Sequence, residues 1–200
     1  MNRFLSSLFL LLLLPLFAAC ERSPGALPEG AVILAFGDSI TYGTGAGEEE
    51  GYPAVLERLV GRKVINAGVA GETTAEGLAR LPGLLAEARP NLVILCHGGD
   101  DMTQGVEATE IIANLRAMVR TIGEANAEVF LIAVPPPAPY FQPAAFYNQI
   151  ARDMKVSIEV TALSNILSRK EMRAEGLHPN AEGYADLAEA ISKRVKTIQR

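Results

Sequence analysis

The sequence predicts a three-layer α/β/α sandwich built on a five-stranded parallel sheet. Short apolar runs alternate with longer stretches of helical spacing from residue 31 to the end of the chain. Several of those runs are apolar almost without interruption, as strands covered on both faces must be. The stretches between them are long enough to be right-handed helical crossovers joining parallel strands.

The elements follow in order. The run ending Val-Ile-Leu-Ala-Phe36 predicts a first strand over 31–36, and 52–60 a first crossover helix. A second strand over 63–67 leads to a helix over 74–88. Leu92-Val-Ile-Leu-Cys96 is a fully buried third strand. Ile111, Ile112, Leu115, Met118, Val119 and Ile122 lie at helical spacing within an expected helix over 107–125. A fourth strand over 129–134, a helix over 144–154 and a fifth strand over 156–160 complete the alternation. A final helix over 181–198 begins after Asn180, a suitable N-cap. The arrangement is flavodoxin-like, with one domain over 31–200, no internal repeat and no second domain.

The first nineteen residues read as an export signal rather than as part of the fold. Arg3 supplies a positive start, residues 4–16 are almost wholly apolar, and Phe17-Ala18-Ala19 leads to Cys20. The apolar stretch is short for a membrane span. The tetrapeptide ending at Cys20 resembles the bacterial lipobox, which implies cleavage before Cys20, lipidation of its thiol and a lipoprotein of the cell envelope facing the periplasm. A plain secretory signal is the alternative. Residues 20–30, rich in Pro and Gly, read as a tether.

Composition narrows the function. The formal net charge is −5, and no basic cluster is present, so nucleic acid is not an expected partner. With Cys20 carrying lipid, Cys96 has no partner in the chain and reads as a buried core thiol. No cofactor is expected, and the scattered carboxylates do not suggest a metal site. The glycine-rich stretch 41–47 lacks a P-loop's terminal Lys-Ser/Thr and reads as a mobile rim.

In an open parallel sheet, ligands bind beyond the carboxyl ends of the strands. Four blocks there carry chemistry. Gly37-Asp38-Ser39-Ile40 follows the first strand, Asn66-Ala-Gly68-Val-Ala-Gly71 the second and His97-Gly98-Gly99-Asp100-Asp101 the third. Glu175-Gly-Leu-His178-Pro-Asn180 precedes the last helix. A serine at the tip of a buried strand, a late histidine and a carboxylate three residues before it make up the chemistry of a serine esterase. The histidine takes the hydroxyl proton and the carboxylate orients the imidazole. Asp38 reads as a brace for the serine turn, and His97 as a polar loop residue. Pro135-Pro-Pro-Ala-Pro139 with Tyr140 and Phe141 reads as a stiff loop at the mouth of a site, and 102–106 as its other wall.

These four blocks in this order resemble the SGNH (GDSL-type) hydrolases. The likeness is strongest to their bacterial thioesterase/lysophospholipase (arylesterase) branch, through Gly77-Leu-Ala-Arg-Leu-Pro82 and Leu131-Ile-Ala-Val-Pro-Pro136. The resemblance implies Ser39 as nucleophile, His178 as base and Glu175 as its orienting acid. It implies an oxyanion hole built from the backbone N–H groups of Ser39 and Gly71, with Gly68 as the alternative to Gly71. Two positions depart from the family pattern. Glu175 stands where aspartate is usual, which leaves a Ser–His dyad as the alternative. Asp100 replaces the asparagine that serves as third oxyanion donor. Ionised, it would repel the oxyanion by about 4 kcal/mol at about 4 Å with an effective dielectric near 20. The expectation is therefore that Asp100 works protonated, as a donor. The expected activity is hydrolysis of carboxylic esters or thioesters (short acyl, aryl or lysophospholipid esters) through an acyl-serine, by an enzyme held to a membrane by an N-terminal lipid. The alternatives are an O-acetyl esterase or transferase acting on envelope glycans, or a catalytically impaired binding protein that keeps the fold.

Overall fold

The computed structural model describes residues 27–137, 141–174 and 178–198. Five parallel strands form one sheet: β1 (Val32–Gly37), β2 (Lys63–Gly68), β3 (Leu92–Cys96), β4 (Glu128–Ile132) and β5 (Ser157–Glu159), in the order β2-β1-β3-β4-β5. Among the described residues, eight α-helices accompany them: α1 (Ser39–Tyr42), α2 (Tyr52–Val60), α3 (Thr74–Ala88), α4 (Gly99–Gln104), α5 (Ala108–Glu124), α6 (Ala145–Met154), α7 (Ala162–Ser168) and α8 (Ala181–Ile198). The predicted α/β class and five-stranded parallel sheet are what the structure has.

The strand order explains the layering. The chain steps from β1 outward to β2, then back across β1 to β3, β4 and β5. Right-handed crossovers then put α2 on one face and α3, α5 and α6 on the other. The helices pack accordingly, α2 with α8 and α8 with α7 on one face, and α3 with α5 and α5 with α6 on the other. Every residue of β3 is buried, because β3 is central and covered on both sides. The buried stripe of α5 is Ile111, Leu115, Met118, Val119 and Ile122, at the spacing the sequence predicts, with Ile112 at its margin.

Where structure and sequence expectation differ, the reasons are local. The packed chain begins before residue 31. Leu27 joins the core, and the Pro28 carbonyl accepts from Ala31 N (3.0 Å) and from Arg62 Nε (3.2 Å). The ladder of β4 stops at Ile132, although Ala133 and Val134 are buried and apolar. Three prolines follow at 135–137, and proline has no N–H with which to extend a ladder. The short helices α1, α4 and α7 are additional elements, and two of them begin at the carboxyl ends of β1 and β3. Among the described residues, no helix is long and apolar enough to cross a membrane. Cys20 and the expected signal lie outside the described residues.

Candidate active site

The site lies at the point where the crossovers diverge, between β1 and β3, as topology predicts for an open sheet. Ser39 opens α1 directly after β1. The Asp38 side chain accepts from Ile40 N at 3.3 Å, which caps this one-turn helix, and Gly43 closes it at φ 100°. The turn is tight because Gly37 has no side chain. A Cβ there would lie 1.8 Å from the Cys96 carbonyl oxygen. Ser39 is thereby held where β1 and β3 touch.

His178 reaches it from the far end of the chain. Its Nε2 lies 3.0 Å from Ser39 Oγ. Residues on either side of the histidine are clasped to the segment before it. Arg173 and Pro179 form an antiparallel bridge, Ala174 N donates to the His178 carbonyl, and Asn180 N donates to Met172 O. Asn180 also caps α8, its Oδ1 accepting from Gly183 N at 3.0 Å. Within the 41–47 stretch, Gly45 lies against the histidine loop. A Cβ on Gly45 would meet Pro179 O at 2.7 Å and His178 Cβ at 3.2 Å. Burial pushes the His178 imidazole below the ordinary histidine value, and the Asp100 charge works against that shift. Glu175 lies outside the described residues.

The expected oxyanion donors converge from two strand ends. Ser39 N and Gly71 N both point at one atom, Asp100 Oδ2, at 3.3 Å and 3.0 Å. Asp100 therefore stands at the site as sequence reading places it, but as an acceptor from the two N–H groups. Gly68 does something else. Its N–H donates to Asn66 Oδ1, and a Cβ there would lie 2.1 Å from Tyr42 N, so this glycine lets β2 pack beneath α1.

Beneath the site runs a buried polar network that sequence reasoning missed. His97 is fully buried, with Nδ1 accepting from Gly98 N (3.1 Å) and Nε2 lying 3.2 Å from Glu72 Oε2. Arg80 grips the Glu72 carboxylate with Nε and Nη2, and Nη2 also donates to the Ala67 carbonyl. The Arg80 guanidinium lies 4.4 Å from the Phe36 ring centroid. Burial drives Glu72 upward, but hydrogen bonds from His97 and Arg80, with the Arg80 charge, outweigh it and hold the carboxyl below its usual range. Glu72 follows Gly71, so this network fixes the loop that carries the Gly71 N–H. A buried histidine beside a glycine loop gives no periodic signal. The only available hint was the arginine within the Gly77–Pro82 block.

Two further carboxylates brace the third block. Asp38 Oδ2 accepts from Gly99 N (2.9 Å) and Asp100 N (3.4 Å), and burial raises Asp38 to about 6. Asp101 accepts from the Thr74 backbone N–H and hydroxyl at 2.8 and 2.5 Å, tying α4 to the start of α3. Cys96 is buried, and burial pushes its thiol well above the usual value, as suits a core thiol.

A cleft of about 270 Å³ opens beside Ser39 and His178. Ile40, Val134, the three prolines 135–137, Phe141 and Leu167 give it apolar walls, with Thr103 and Asp100 at one side. The Pro-rich loop thus lines the site as expected, and Thr103 comes from the other predicted wall. Tyr140 lies outside the described residues.

Comparison with known proteins agrees with this geometry. The family model described as GDSL-like Lipase/Acylhydrolase matches residues 35–185. Esterase TesA of Pseudomonas aeruginosa is 30% identical over 178 residues, covering 83% of this chain and 88% of its own. Thioesterase 1/protease 1/lysophospholipase L1 of Escherichia coli K12 is 28% identical over 174 residues, covering 83% and 84%. The psychrotrophic esterase EstA from Pseudoalteromonas sp., solved with monoethylphosphonate as inhibitor, superposes with a TM-score of 0.75 at 25% identity, covering 83% of this chain and 97% of its own.

Proposed function

Because the chain belongs to the GDSL-like lipase/acylhydrolase family and is an ester hydrolase, we propose that it works through an acyl-enzyme formed on Ser39. The observation that carries this reading is the 3.0 Å contact between Ser39 Oγ and His178 Nε2 at the mouth of an apolar cleft. His178 takes the hydroxyl proton as Oγ attacks the ester or thioester carbonyl. Its half-buried imidazole, held below the usual value, is neutral and able to accept that proton near neutral pH. The carbonyl oxygen becomes an oxyanion, for which Ser39 N–H and Gly71 N–H are the donors. Collapse of the tetrahedral intermediate breaks the bond to the leaving group, which departs with the proton from His178. A water molecule then gives its proton to His178, attacks the acyl carbon and releases the carboxylic acid, restoring Ser39. Glu175 is the acid that would orient His178.

The substrate class follows from the cleft and from the relatives. Apolar walls and a volume near that of a short acyl chain or aryl ring suit short acyl, aryl or lysophospholipid esters. The relatives' names, thioesterase, lysophospholipase and esterase, fall in the same range. Export as an envelope lipoprotein anchored through Cys20 completes the reading, supported by the apolar run before Ala18-Ala19-Cys20.

Hydrolysis of p-nitrophenyl esters from acetate to palmitate, with wild type beside Ser39→Ala, tests it. Ser39→Ala should lower kcat by about 10³-fold or more, with the best substrate among the shorter chains. Equal turnover by both proteins would remove Ser39 from the chemistry.

A further inference from the structure

We propose that the Asp100 carboxylate is a built-in ligand of the oxyanion hole, which it fills in the resting enzyme and must surrender to the substrate's carbonyl oxygen. The proposal rests on the reading of Ser39 as nucleophile. A tetrahedral intermediate presents one anionic oxygen to two fixed N–H donors. Asp100 Oδ2 already supplies such an oxygen to Gly71 N at 3.0 Å and to Ser39 N at 3.3 Å.

The position of this carboxylate is set by its supports. Asp100 N donates to Asp38 Oδ2, Asp101 holds α4 against Thr74, and Gln104 Nε2 donates to the Gly71 carbonyl at 3.0 Å. These ties fix the backbone of α4 relative to the Gly71 loop. The carboxylate therefore leaves the hole by turning about its own side-chain bonds, toward the cleft whose wall it already forms. No arginine or lysine lines that cleft among the described residues.

A carboxylate and an oxyanion cannot share the same two donors, because at this separation their repulsion is several-fold larger than thermal energy. A neutral ester carbonyl must displace a charged acceptor, and charge-assisted hydrogen bonds are about twice as strong as neutral ones. Substrate is thus at a disadvantage in the wild type that a neutral residue would remove. A second consequence is distinctive. The hole is closed to outside carboxylates, including the acid product, while Asp100 occupies it. Taking the carboxylate away should leave a vacancy shaped for a small carboxylate anion.

The test compares wild type, Asp100→Asn, Asp100→Ala and Ser39→Ala on p-nitrophenyl butyrate at neutral pH. Each is assayed with increasing sodium acetate against sodium chloride of equal ionic strength, after thermal melting confirms a folded protein. Asp100→Asn, which keeps the side-chain shape, should raise kcat/KM by about tenfold. Acetate should inhibit Asp100→Ala competitively and leave wild type unaffected. A folded Asp100→Ala that is slower than wild type and is restored by acetate would overturn the proposal, since the carboxyl group would then be helping the reaction. Unchanged rates with no acetate effect in either variant would overturn it as well. Turnover that survives Ser39→Ala would instead overturn the serine-esterase reading, and the proposal with it.

Discussion

Asp38 is a fully buried carboxyl group, and its titration should be visible in the stability of the whole protein. Burial raises it from 3.8 to about 6, opposed by nearby His97 and reinforced by Asp100. A raised carboxyl value means that the folded state holds the proton to higher pH than the unfolded chain does. Between about 4 and 6 the unfolded chain binds fewer protons, so stability must fall as pH rises through that window. The shift corresponds to about 3 kcal/mol, present below the window and lost above it. The unfolding free energy of wild type minus that of Asp38→Asn, from urea titrations at several pH values, should decline by that order from pH 4 to 7. A flat difference would show that Asp38 does not carry the titration. What the ionised group supports is the site itself, because its oxygens accept from Ile40, Gly99 and Asp100 N–H. That bracing role was legible in the sequence, since a carboxylate beside a strand-end turn has few other uses. The direction of the Asp100 side chain was not. Sequence fixes which residue stands at the end of β3, but the rotamer that sets Oδ2 on two N–H groups depends on β1, β2 and α4 meeting in space.

At the scale of elements, α3 meets the loop after β3 through a glycine. A Cβ on Gly77 would lie 2.3 Å from His97 Nε2 and 3.2 Å from Glu72 Oε2. His97 is fully buried and has no room to retreat. Gly77→Ala should therefore cost about 1–3 kcal/mol through overpacking, and should lower esterase turnover by displacing the Glu72 side of the Gly71 loop. Gly83 on the same helix is the control, since nothing lies within 4 Å of a Cβ there. Gly83→Ala should be neutral or stabilising by up to about 1 kcal/mol, because alanine suits a helix better than glycine does. Thermal melts of the two variants separate these outcomes, and equal melting temperatures would remove the argument for close packing. The helices over 52–60, 74–88 and 181–198 lie where the sequence places them, because each spans enough turns for its apolar stripe to repeat. The four-residue α1 and six-residue α4 were invisible for the converse reason. A helix of one turn has no period to read, yet these two carry Ser39 and Asp100.

At the scale of the molecule, the division between anchor and enzyme should be separable by cutting the chain in the right place. All five strands and both members of the Ser39–His178 pair lie within the described residues, downstream of residue 26. Leu27 is 6% exposed and packs with the core, and Pro28 O is held by Ala31 N and Arg62 Nε. Deleting residues 1–26 should thus leave melting temperature and p-nitrophenyl ester turnover unchanged. Deleting residues 1–30 should cost about 1.5–3 kcal/mol, the burial of one leucine side chain, besides the hydrogen bonds at Pro28. The two truncations also bear on the proposed lipid anchor. The 27–200 chain should be recovered in the aqueous fraction. The full chain and a Cys20→Ser variant should differ, with only the cysteine form extracted into detergent, because one hydrophobic chain covalently held at Cys20 adds about 0.8 kcal/mol of membrane affinity per buried methylene. Retention of Cys20→Ser in the membrane would assign the attachment to the apolar run at 4–16 itself. The enzyme would then be held by an uncleaved segment, with the same domain at the end of a longer stalk.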